Sequence, residues 1–204
     1  DTYWDTSDRR LARAGCTLRV REQAAGRPPT GDGQLADEPK GPGWGGPGEH
    51  ASARKGELTL KGPSSHQDGR GRAAPVSWSR TELTAEAPAG SGPQEWARTP
   101  AAAVIVAALR RLDAAEGLRP DVVLLNPRRE LVLRKDADEA VLSLDEVCIE
   151  DQPYCRRYVE IELKRGAHAT LETLAQSIAA QFRLRPSRRG KVQAARAWLT
   201  GRGT

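Results

Sequence analysis

The chain has 204 residues, 32 Lys plus Arg against 27 Asp plus Glu, and a formal charge of +5, with 38% apolar and 4% aromatic residues. It holds no apolar run long enough for a transmembrane helix, no basic-then-apolar leader, and too many compact apolar segments for a wholly disordered chain. The expectation is a single soluble domain spanning 1–204 with loose insertions. No Met occurs, and the chain opens directly on Asp1-Thr2-Tyr3-Trp4-Asp5-Thr6, which reads as the middle of a structured element. An N-terminal part is therefore expected upstream.

In chain order, Ser7–Ala14 reads as a short helix with Ser7 as its N-cap. Thr17–Glu22 then alternates with period two, as a half-buried strand does. Residues 24–56 hold 9 Gly and 5 Pro in 33 positions and read as a flexible insertion, as do 62–75 and 88–93. Glu57–Lys61 and Ser77–Ala85 are strand candidates. Pro100–Glu116 reads as a helix with Val104, Ile105, Ala108, Leu109 and Leu112 on its apolar stripe, ended by Gly117. Val122–Leu125, Arg129–Lys135, Ala140–Ile149 and Arg157–Lys164 alternate again as strands. Thr170–Phe182, with Leu171, Leu174, Ile178 and Phe182 in line, and Gly190–Thr200 are further helices. Cys16, Cys148 and Cys155 are odd in number and lack a C-x-x-C pair, which argues against disulfides or zinc and suggests a reducing cytoplasm.

The strands carry charge position for position on one face. Arg19 and Arg21 stand opposite Leu18 and Val20, and Glu57, Thr59 and Lys61 share a face. Arg80 and Glu82 sit together, and Glu160, Glu162 and Lys164 oppose Val159, Ile161 and Leu163. Two readings follow from the pattern. One is a solvated sheet face laced with ion pairs. The other is a closed or nearly closed barrel with a polar interior, in which Arg and Lys bind phosphate oxygens and carboxylates hold a hard divalent cation.

The run Asp1–Gly15 leading into Leu18-Arg19-Val20-Arg21 resembles the early part of a CYTH domain, the fold of the triphosphate tunnel metalloenzymes. The similarity continues in order through the strand ending at Lys61, the Arg80/Glu82 pair and Arg128-Arg129. Ser143-Leu144-Asp145-Glu146-Val147, Glu160-Ile161-Glu162 and Leu184–Ser187 follow. The resemblance implies an α+β fold: an antiparallel eight-stranded β tunnel with flanking helices, whose first strand, a Glu-x-Glu-x-Lys run, would lie upstream of this chain. It also implies metal-dependent hydrolysis of a triphosphate, most simply inorganic triphosphate, with Mg²⁺ or Mn²⁺.

By matching positions, Arg19, Arg21, Lys61, Arg80, Arg128 or Arg129, and Lys191 would grip phosphate. Lys61, Arg80 and Glu82 would be catalytic, and Glu82, Asp145, Glu160 and Glu162 would ligate metal or orient water on it. Two departures stand out: Gly190-Lys191 replaces the family's Ser-Lys at the last helix, and Lys164 stands where many relatives have a third Glu. Many bacterial relatives also continue into a CHAD domain. The alternatives are a polyphosphate- or nucleotide-binding module without hydrolysis and, third, nucleic-acid binding. The last is disfavoured because no basic run is interleaved with stacking aromatics.

Overall fold

The computed structural model describes residues 1–22, 55–63, 65–67, 77–187 and 189–201. Most of the two long insertions expected from composition (residues 24–54 and 68–75) lies outside these. The elements run β1 (Thr2–Thr6), α1 (Arg10–Arg13), β2 (Thr17–Glu22), β3 (Lys55–Lys61), β4 (Ser65–Gln67), β5 (Ser77–Ser79) and β6 (Glu82–Pro88). They continue as α2 (Pro93–Trp96), a 3₁₀ turn (Pro100–Ala102), α3 (Ala103–Arg111), β7 (Leu118–Leu125) and β8 (Arg128–Lys135). The chain then forms β9 (Asp138–Ile149), β10 (Cys155–Arg165), α4 (His168–Gln181) and α5 (Lys191–Leu199).

Eight strands form one antiparallel sheet in the order β10-β9-β7-β1-β2-β3-β6, with β8 also pairing β9. This is the expected antiparallel eight-stranded sheet with flanking helices, although among the described residues the end strands β6 and β10 do not pair with each other. β4 and β5 form a separate two-stranded ribbon.

Alternation along the strands separates two faces. Leu18, Val20, Leu58, Leu60, Ala85 and Ala87 bury on one face against Leu11, Trp96, Ile105 and Leu109 of α1, α2 and α3. A second core forms on the opposite face, where Tyr3, Val122, Leu124, Val147 and Ile149 meet Val192 and Ala195 of α5. The charged positions of the central strands lie on this second face, beside α5.

Several local readings are corrected. Ser7 does not cap α1. Thr6 Oγ1 accepts the Arg10 N–H at 2.9 Å, and the Asp5 carboxylate accepts those of Leu11 and Ala12 at 3.0 and 3.1 Å. The strand expected over Ser77–Ala85 breaks at Arg80-Thr81, so its first part pairs β4 and its second pairs β3. Residues 88–93 are not loose: they close β6 and start α2, where the Glu95 side chain accepts the Gly92 N–H at 3.0 Å and Trp96 is buried.

Helix α3 stops at Arg111, well before Gly117, because Asp113 takes a left-handed φ of 52° and the Ala114 N–H turns back to the Leu109 carbonyl. Val104 on that helix and Phe182 beyond α4 are exposed, so neither belongs to the core stripe given to it. Cys148 and Cys155 form a disulfide because they are direct partners in the β9–β10 register. The expectation of three free thiols therefore fails, and with it the support the cysteines lent to a reducing compartment. Cys16 is a buried thiol. Among the described residues no helix is long and apolar enough to cross a membrane.

Candidate functional site

Two groups of charged side chains occupy the same face of the sheet. The first is built on β1, β2, β3 and the start of β6. Register sets Arg19 opposite Tyr3 and Thr59, Arg21 opposite Glu57, and Lys61 opposite Glu82. Arg19 donates to Glu57 at 3.0 Å and to Thr59 Oγ1 at 3.3 Å, while Arg21 makes a bidentate pair with Asp1 at 2.7 and 2.9 Å. Lys61 Nζ donates to Glu82 at 2.8 Å, and Arg80 Nε donates to the same oxygen at 3.1 Å.

Burial pushes the Lys61 ammonium and the Arg19 guanidinium below their ordinary values, and neighbouring arginines add to both shifts. Burial opposes ionisation of Glu82, but the bonds from Lys61 and Arg80 outweigh it and hold the carboxyl below its usual range. Arg19 Nε is buried and has no hydrogen-bond partner among the described residues. It is a donor left open on a cationic group.

The second group is built on β8, β9, β10 and α5. Arg128 forks onto Asp145 at 2.6 and 3.1 Å, and reaches Glu160 at 3.1 Å and Glu130 at 3.3 Å. Lys191, the first residue of α5, sets its ammonium 2.5 Å from Asp145 and 2.8 Å from Glu160, and lies 6.0 Å from the centre of the Tyr158 ring. Asp145 is 2% exposed. Burial disfavours its charge, yet hydrogen bonds from Arg128 and Lys191 prevail and keep the carboxyl below the ordinary range. Burial likewise works against Arg128, and its pairing with Asp145 overcomes it and raises the group.

The two groups sense each other. The charge of Arg21 on β2 acts against that of Arg128 on β8, and Glu160 on β10 acts on the buried Tyr3 of β1. Cations from separate parts of the sheet share this one face, which suits a polyanion lying along it.

Of the residues singled out in the sequence, Arg19, Arg21, Lys61, Arg80, Glu82, Arg128, Asp145, Glu160 and Lys191 fall into these two groups. Arg129 does not. It pairs in register with Leu144 on the opposite face, so of the Arg128-Arg129 pair only the first reaches the charged face. Glu162 shares the face of Glu160 but is held by Lys164 at 2.7 Å. The four carboxylates taken together as metal ligands are thereby separated: Glu82 is with Lys61 and Arg80, and Glu162 is with Lys164.

Among the described residues no three acidic, His or Cys side chains cluster as a metal site. What converges is a pair, Asp145 and Glu160, both bonded to the Lys191 ammonium. Mg²⁺ is commonly held by one or two carboxylates plus substrate phosphates, so the pair fits a metal that arrives with a phosphate ligand.

Glu57, Thr59, Glu130, Ser143 and Tyr158 were not singled out as site residues. Their signal was present as strand parity: each shares the period-two face of a chosen neighbour, and Ser143 is buried opposite Glu130 and Glu160.

The sequence pattern of the CYTH domain matches residues 1–195 of the 204. Among curated proteins, none matches the chain.

Proposed function

The chain belongs to the CYTH family, and from that premise we propose that its charged face binds a linear triphosphate or short polyphosphate and, with Mg²⁺ or Mn²⁺, hydrolyses it. The observation that supports this reading is that Arg19, Arg21 and Lys61 of β2 and β3 share one face of the sheet with Arg128 of β8 and Lys191 of α5. A polyanion along that face would meet cations from both groups. Arg19, with its open Nε, Arg21 and Lys61 would bind phosphate oxygens at one end, and Arg128 and Lys191 at the other.

Arg80 and Lys61 are held in place through Glu82, which acts as a positioning group between them. Arginine forks fix phosphate orientation through paired N–H bonds, and the cations offset the negative charge that builds on the transferred group. Asp145 and Glu160 would hold the divalent cation, which supplies Lewis-acid polarisation of a phosphoryl oxygen. Entry of the polyanion draws Lys191 and Arg128 toward phosphate and frees these carboxylates.

A second reading, binding without hydrolysis, is favoured by one observation: Asp145 and Glu160 are both paired with cationic side chains, Arg128 and Lys191. One experiment separates the two. Tripolyphosphate is titrated into the protein, and phosphate release is followed with and without Mg²⁺ for wild type and Glu160→Gln. Metal-dependent release that falls in the variant supports the enzyme. Binding without release supports the module, and failure to bind refutes both.

A further inference from the structure

We infer that Arg196 is a positioning residue for Lys191, acting through the rotation of α5; this rests on the reading of Lys191 as a phosphate contact. The two residues are five apart on a nine-residue helix, hence about 7.5 Å apart along its axis and roughly 140° apart around it. They grip different parts of the sheet. Lys191 reaches Asp145 on β9 and Glu160 on β10, whereas Arg196 donates from Nε to Asp121 on β7 at 2.5 Å and from Nη2 toward Asp5 on β1 at 3.4 Å.

The anchor on the Arg196 side is rigid. Asp5 is 1% exposed, and its carboxylate accepts the backbone N–H groups of Thr6, Leu11 and Ala12 at 2.8, 3.0 and 3.1 Å. Those bonds tie it to the turn that starts α1. Asp121 is also approached by Arg9 at 3.7 Å. Arg196 itself is 7% exposed, and a planar fork between the Asp5 and Asp121 carboxylates sets direction as well as distance.

The other contacts of α5 are apolar and carry no hydrogen-bond direction. Its apolar contacts are the buried Val192, Ala194 and Ala195, which are short, and the half-buried Trp198, whose ring centre lies 5.6 Å from that of Tyr154. So short a helix is marginal without tertiary contacts. Before Lys191 the chain passes through exposed Arg189 and Gly190. The lysine stem is flexible, so the position of its ammonium depends on where the first turn of α5 points. Arg196 adds to those apolar contacts directional bonds to β1 and β7, elements that do not carry the Lys191 partners.

The test needs no ligand in its first arm. Lysines are acylated briefly with acetic anhydride and quantified by peptide mass spectrometry in wild type, Arg196→Met and Arg196→Lys. In wild type Lys191 is shielded by its two carboxylates. In Arg196→Met its labelling is expected to rise several-fold, with Lys61 and Lys164 unchanged, and Arg196→Lys, which keeps the charge but not the fork, is expected to restore only part of the protection.

In the second arm, Arg196→Met weakens tripolyphosphate binding by about tenfold, the effect of losing one charge-assisted contact. It has no further effect in a Lys191→Ala background. Unchanged Lys191 labelling in folded Arg196→Met overturns the inference. So does an equal rise at Lys61, which marks general loosening, or additive losses in the double variant. If Arg196→Met does not fold, Asp121→Asn, which keeps the Asp5 contact, is read in the same way. A wild type that binds no tripolyphosphate refutes the reading of the site, while the labelling still decides what places Lys191.

Discussion

Replacing Arg128 by Gln is expected to weaken tripolyphosphate binding, whereas the same change at the adjacent Arg129 leaves it unaltered. Arg128 commits N–H groups to Asp145, Glu160 and Glu130, and Lys191 remains on Asp145 at 2.5 Å when it is lost, so the carboxylate is not stranded. The variant therefore removes a phosphate-facing cation without leaving a buried charge unpaired. A hydrogen bond to a charged group is worth about 1.5–3 kcal/mol, which converts to a loss of about 10- to 150-fold in affinity. The Arg128 side chain is 26% exposed, so solvent screening places the expected loss in the lower part of that range, about 10- to 40-fold. Arg129 lies across from Leu144 on the other face, and its variant stays within about twofold of wild type. Isothermal titration at fixed ionic strength measures both, with circular dichroism as the check on folding. The reasoning is refuted if folded Arg128→Gln binds as wild type does, or if the two variants lose equally.

Asp145 has a folded-state pKa below its ordinary value of 3.8, so the unfolded chain takes up its proton first as pH falls. Its contribution to stability is present in full above that value and is lost as pH drops through the depressed one. Denaturant midpoints between about pH 2 and 6 should accordingly fall less steeply for Asp145→Asn than for wild type; parallel curves would contradict the assignment. Chelation of divalent cations should stop phosphate release while tripolyphosphate still binds through the cations, as calorimetry in EDTA would show. Gly166→Ala should destabilise by about 2 kcal/mol or more in chemical denaturation, since the backbone there is one that L residues rarely adopt. At a φ of 116°, a Cβ would also stand 1.9 Å from Asp138 Oδ1 and 2.9 Å from its Cα.

Strand parity made the faces of β2, β3 and β10 legible, because a period of two fixes which side chains share a side whatever the strand pairs with. It could not decide which charges meet. Arg128 and Arg129 are identical neighbours in sequence, and a slip of one residue would exchange their faces. What chooses between them is the β8–β9 hairpin, where Asp136 takes a φ of 53° and sets Lys135 against Asp138, so that Arg128 falls on Asp145. The same limit hid the disulfide: an odd cysteine count says nothing about two that a hairpin register makes direct partners.

Glu160 and Glu162 are equivalent by parity, yet α5 brings Lys191 to the first while Lys164 takes the second. That choice depends on where a short helix lands, and besides its apolar contacts that landing draws on Asp5 and Asp121, far away in sequence. The motif residues near Asp5 therefore serve the site in a way that their spacing did not indicate. By capping α1 and receiving Arg196, Asp5 connects the start of the chain to the angle of its last helix, and through that helix to the cation held between Asp145 and Glu160.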